Sequence, residues 1–203
     1  AGGGVGAGRR RVGAETRSRA GKLGYVVGSL HDGHSGRSYR LRYGADSVKV
    51  DVSYLARIPL LEPEILACTR CRPTVSFSTL QLPELVAGKI SALLDRAASR
   101  DLYDVASLAG TGHAPSLVSG LARAVALHAV SLADSFPFVR DPMLAVEKFA
   151  DPSEAQVEEL RSVLADSESP DFSELSRRAR AYLAPLSALA PAEAEYMDLL
   201  ADQ

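Results

Sequence analysis

Cysteine is scarce in this sequence, with two in 203 residues. That is too few for the disulfide framework of a small secreted domain and favours a reducing compartment. No apolar run approaches the ~20 residues that a bilayer-spanning helix needs. The basic N-terminus also leads into no apolar core of the kind a signal peptide carries. The chain is therefore expected to be cytoplasmic, with no membrane partner. A net charge of −2 gives no global drive toward nucleic acid. Internal repeats are absent. No Gly-Lys-Ser/Thr follows Gly2, Gly4 and Gly6, so a phosphate loop is a very weak reading and a flexible tail the preferred one. What is present, 46% hydrophobic and 24% charged residues, is an ordinary globular composition. It suits one domain or two small ones with a sizeable core.

Charge and glycine are unevenly placed. Residues 1–22 hold seven of the sixteen glycines and six Arg or Lys against one Glu, whereas 151–203 hold twelve Asp or Glu against four Arg. The first segment cannot bury enough surface to offset its backbone entropy and is expected to be disordered. Its Arg9–Arg11 run is read as a solvated basic tail, with an RNA contact as the minority reading. A chain that starts on Ala rather than Met suggests a fragment or a processed product.

Residues 23–80 carry strand patterns. Leu23–Leu30 is apolar, and His31-Asp-Gly-His34-Ser-Gly36 has turn chemistry. Ser38–Tyr43 alternates Tyr39, Leu41 and Tyr43 against Arg40 and Arg42. After the Gly44-Ala45-Asp46 turn, residues 48–55 complete a hairpin. In its second strand Val48, Val50 and Val52 face one way, and Lys49 and Asp51 the other. Asp51 beside Lys49 is a candidate site carboxylate, the alternative being a solvent-facing strand residue. Residues 58–80, with Pro59, Pro63 and Pro73, read as loop with short extended pieces. Cys68-Thr-Arg-Cys71 is half of a zinc or redox motif. Paired with His31-x-x-His34 it matches no zinc-finger spacing, so two chemically idle thiols is the preferred reading.

The remainder, 81–203, is helical. Pro83 suits a first helical turn, and Val86, Ile90, Leu93 and Ala97 recur as one apolar stripe. Lys89 falls along that stripe, where an unpaired ammonium is costly and calls for an anion. Ser99 is placed to cap a second helix that carries Arg100, Asp101 and Asp104. One lysine thus meets two carboxylates across a short helix–helix connection. Helical spacing continues through 114–135, 153–165, 171–188 and 191–201. His128 reads as a satisfied core histidine, and the acidic C-terminal helices read as a solvated outer face, with a basic partner as the minority reading.

Three ordered segments carry a family resemblance. They are Val48-Lys49-Val50-Asp51-Val52, the Glu84-x-x-x-x-Lys89 stretch with Ile90 to Leu93, and Arg100-Asp101-Leu-Tyr103-Asp104. Together, over roughly 23–110, they resemble the AbiEii/AbiGii toxins, nucleotidyltransferase-like proteins of toxin–antitoxin and abortive-infection systems. The resemblance implies an α+β fold in which, after the segment 1–22 expected to be disordered, a partial nucleotidyltransferase-like mixed sheet spans 23–80 and a mainly helical C-terminal region spans 81–203. It implies transfer of a nucleotidyl group from a nucleoside triphosphate to an acceptor such as tRNA, with Mg²⁺ as cofactor and a cognate antitoxin as partner. Carried over by motif, Asp51 is a metal-binding carboxylate, and Lys49, Lys89 and Arg100 contact the nucleotide. Asp101 and Asp104 complete the catalytic set. Such transfer is mostly positioning and charge neutralisation, which suits these residue types.

One departure stands out. The family's first motif, a Gly-rich turn leading to Arg-x-Ser-x-Asp-x-Asp, is expected upstream of residue 23, where this chain has no paired acidic residues and only Glu15. The resemblance therefore implies an N-terminally incomplete toxin, inactive as it stands. The alternatives are a catalytically dead nucleotide- or antitoxin-binding remnant, or purely structural ion pairs of Lys89 and Arg100 with Asp101 and Asp104.

Overall fold

The structure, a computed structural model, describes residues 15, 17–32, 36–53, 59–70, 72–136, 140–164, 169 and 171–202. Arg9–Arg11, the early glycines, His34 and Cys71 lie outside these residues. Of the four residues in the disfavoured Cys₂His₂ pairing, His31, at the end of a strand, and the half-buried Cys68 are described.

About half of the chain is helical and a sixth is strand, an α+β protein. It divides into two compact units, residues 1–58 and 59–203. In the first, residues 15 and 17–22 are helical (α1) although they fall in the segment expected to be disordered. Arg19 pairs with Glu15 one turn away, and Ala20 is buried. Three strands follow: β1 (Val26–Asp32), β2 (Gly36–Tyr43) and β3 (Asp46–Ser53). They form an antiparallel sheet in the order β1-β2-β3. The expected hairpin is present, with Tyr43 opposite Asp46 across a two-residue turn. Gly44 opens that turn at φ +60°, a conformation that glycine adopts at no steric cost. Tyr39, 1% exposed, anchors the apolar face opposite Val50.

The second unit begins with a two-stranded hairpin, β4 (Glu64–Cys68) with β5 (Val75–Thr79). Both described sheets are antiparallel rather than mixed. Short connections between successive strands allow only that direction, because a parallel pair needs a long crossover. Among the described residues seven helices follow: α2 (Leu82–Arg96), α3 (Ser99–Gly110), α4 (Gly120–Ser131), α5 (Met143–Glu147), α6 (Glu154–Arg161), α7 (Phe172–Ser187) and α8 (Pro191–Ala201). α2 packs chiefly on α4, and α3 on α7. Val86, Ile90 and Leu93 of the expected stripe are buried in one continuous core with Leu102, Leu183 and Met197. No helix among the described residues is long and apolar enough to cross a membrane.

A polar knot fastens this core. Arg123, on a buried face of α4, donates to both carboxylate oxygens of Glu193 at 2.6 Å and to the carbonyls of Leu117, Pro185 and Ala188. The last two are end-of-helix acceptors on α7 that lack intrahelical donors. The guanidinium holds the Glu193 carboxyl down to about 2, with help from the Ala190 N–H. Because the folded value is depressed, this contribution is complete above the ordinary carboxylate range and is lost as pH falls through it toward 2. The urea midpoint is therefore expected to drop between pH 5 and 2. Glu193→Gln should start lower at pH 7 and fall less steeply; parallel curves for the two proteins would refute the assignment.

Candidate functional site

The link between α2 and α3 positions the charged residues. α2 ends on Ala97, whose left-handed φ of +46° reverses the chain within three residues. α3 begins one residue earlier than Ser99 implies: Ala98 is the N-cap, and the Ser99 hydroxyl is buried without a partner. The cap is supplied from within the helix. Asp101, 2% exposed, accepts from the Ala98 N–H at 3.3 Å and from Arg96 at 2.7 Å. A carboxylate in the first turn also meets the positive end of the helix dipole. Asp101 is thus committed to the α2–α3 corner. Glu84, the leading residue of the Glu-x-x-x-x-Lys motif, accepts from the N–H groups of Leu60 and Leu61 at 2.8 and 3.2 Å, tying the entry segment to α2.

Lys89 and Asp104 come together from the two helices. The Lys89 ammonium donates to the Asp104 carboxylate at 2.6 Å. Sequence periodicity puts Lys89 on the core-facing edge, but its side chain is 49% exposed. Val86 and Ile90 take the core, and the long lysine stem carries its charge out to the rim, where water still solvates it. Lys89 pairs with one carboxylate rather than two, because Asp101 turns to the corner. Arg100 is exposed, and no ion-pair partner is present for it among the described residues.

The pair lines a groove of about 380 Å³ between α2 and α3. Its walls are apolar, from Leu82, Leu85 and Val86 on one side and Leu108 on the other. Ser107 and Thr111 add hydroxyls at the α3 edge; both were missed in the sequence, where their small side chains give no periodic signal. Two larger clefts hold charges that are already satisfied. One, of about 590 Å³, contains Arg123 with Glu193. The other, of about 440 Å³, is flanked by Arg177 and Arg178, both bound to Glu174, whose carboxyl they hold down to about 2. His128 is half-buried and satisfied by the Tyr196 hydroxyl at 2.8 Å.

In the N-terminal unit Asp51 and Lys49 lie 3.0 Å apart on the solvated face of β3. The Ser38 hydroxyl donates to the other Asp51 oxygen. That hydrogen bond first, and then Lys49, hold the Asp51 carboxyl below the usual range. Both oxygens therefore already have protein partners. Among the described residues no three His, Cys, Asp or Glu side chains converge. A single exposed carboxylate tied to a lysine does not fit a divalent metal centre, which takes several oxygen ligands.

No curated protein and no solved structure matches the chain in comparisons with known proteins. A family model described as "Nucleotidyl transferase AbiEii toxin, Type IV TA system" matches residues 7–199. With nearly its whole length aligned, well beyond the 23–110 span of the motifs, the chain belongs to the AbiEii family of nucleotidyl transferase toxins.

Proposed function

We propose that the α2–α3 groove binds the nucleoside triphosphate of a nucleotidyl transfer reaction, with Lys89 on the phosphates and the apolar wall against the base. The observation that carries this is the half-exposed Lys89–Asp104 pair at the rim of an otherwise apolar groove. An exposed pair of this kind contributes only about 0–1 kcal/mol to stability, so its lysine is readily released to a phosphate. Asp104 then becomes available to an acceptor hydroxyl, and Arg100, exposed on the same helix, adds a second cation. Family membership supports a nucleoside triphosphate as substrate, generally with a divalent metal, and a cognate antitoxin as partner. An RNA such as tRNA is the acceptor that the resemblance favours.

Titration of ATP and the other nucleoside triphosphates by calorimetry tests the groove. A charge-assisted hydrogen bond is worth about 1.5–3 kcal/mol, so Lys89→Ala should weaken binding about 10- to 100-fold. Its urea midpoint should stay near that of the parent. Unchanged affinity in the variant would reject the groove as the nucleotide site. The second reading, a nucleotide-binding remnant without transfer, is favoured by the lone Asp51. It is separated by incubating the chain with radiolabelled triphosphate, Mg²⁺ and total tRNA. Label on the RNA establishes transfer; binding without labelling selects the remnant.

A further inference from the structure

We infer that the polar face of the N-terminal sheet is a docking surface for the phosphates of a single RNA strand. On that face the register places Arg40 opposite Lys49, Arg42 opposite Ser47 and Ser38 opposite Asp51. Like charges directly opposed across strands destabilise a sheet, and nothing in the folding of this sheet requires them. Three cations there face one carboxylate, and Asp51 is already engaged by Lys49 and Ser38. Arg40 and Arg42 are exposed, and neither has an ion-pair partner among the described residues.

The neighbours keep these charges open. A Cβ built on Gly28 would stand 3.2 Å from the Arg40 carbonyl oxygen and 3.7 Å from its Cβ. The strand next to Arg40 thus presents bare backbone, Ser38 and Ser47 are small residues flanking the cations, and Val26 stands opposite Arg42. Arg40 and Arg42 are two residues apart on one strand, about 7 Å, with Lys49 on the adjacent strand about 5 Å away. A patch this narrow suits one strand's phosphates and not the two backbones of a duplex. The aromatic residues Tyr39 and Tyr43 fall on the opposite face, so contact here is with the backbone and carries no base readout. The Ser47 hydroxyl beside the cations can pair with a 2′-hydroxyl, which selects RNA over DNA. This surface stands on the sheet alone and holds or fails independently of the nucleotide groove.

The test is fluorescence anisotropy of a labelled oligouridine with the full chain between 50 and 200 mM salt. Three phosphate contacts predict a slope of log K against log salt of about −2 for the parent. Arg40→Gln with Arg42→Gln should weaken binding and flatten the slope to about −0.7, uniformly across RNA sequences. ATP binding should be retained in that double variant. Removing the opposed like charges leaves the sheet at least as stable, and the urea midpoint checks this. As a gain-of-charge counterpart, Ser47→Arg should steepen the slope. Parent-like affinity and slope in both variants would overturn the proposal, as would equal binding of the matching oligodeoxyuridine.

Discussion

Replacing Arg123 with alanine is expected to lower the unfolding free energy by about 3 kcal/mol, the low end of the range for removing one partner of a buried ion pair. The low end applies because the Glu193 side chain is itself 27% exposed. All five N–H groups of this side chain are used, two on Glu193 and three on carbonyls. Alanine strands the Glu193 carboxylate and leaves the end of α7 without donors. Glu193 keeps only the Ala190 N–H, so water must enter or α8 must detach. For a chain of this size the loss corresponds to a fall in Tm of about 10 °C. Two controls separate charge from packing. Arg123→Met keeps most of the volume and should still cost most of that amount; adding Glu193→Gln to it should recover part of the loss, because the stranded charge is gone. A deficit below about 1 kcal/mol in Arg123→Ala would mean that the knot is not a structural fastener.

Phe149→Ala should cost a comparable amount, about 3–5 kcal/mol, through the cavity it leaves. Phe149 is 1% exposed and stacks on Phe172 with ring centroids 6.3 Å apart. It follows the five-residue helix α5, which contributes Ala145 and Val146 to the same core and packs on α7. So short a helix has no stability of its own; the phenylalanine is what holds it down. Phe149→Leu should recover much of the loss. Urea unfolding followed by far-UV circular dichroism measures both, and a change in Phe149→Ala of less than about 1 kcal/mol would show that the site collapses around the smaller side chain.

These two positions mark where sequence reasoning stops. Neither stood out in the chain: Arg123 is one arginine on an amphipathic pattern, and Phe149 sits between segments too short for periodicity. Their weight comes from partners about 70 and 23 residues away, Glu193 and Phe172, which only chain packing brings together. The α2–α3 motif was legible in the opposite way. Its stripe of Val86, Ile90 and Leu93 is local, so the helix and its buried face could be read directly. The pairing of Lys89 with an aspartate of the next helix was also readable from the short connection. Which aspartate it meets was not. Asp101 and Asp104 look equivalent by type and spacing, and the left-handed turn at Ala97 separates them. It leaves Asp101 in the first turn of α3, over the corner and Arg96, and carries Asp104 one turn further, to the groove.

The sequence by itself determined the α+β class, the antiparallel hairpin through Asp51, the long C-terminal helices and the family, because each rests on local periodicity, turn chemistry or ordered motifs. The tertiary structure decided the division of labour among the charges. It made Asp101 a cap, Glu84 a tether, Arg123 a fastener and Lys89–Asp104 the rim of a groove, and it laid Arg40, Arg42 and Lys49 on one open face. Residue type states what a carboxylate or an arginine can do. Burial and the nearest donor, both set by distant parts of the chain, decide which of those things it does.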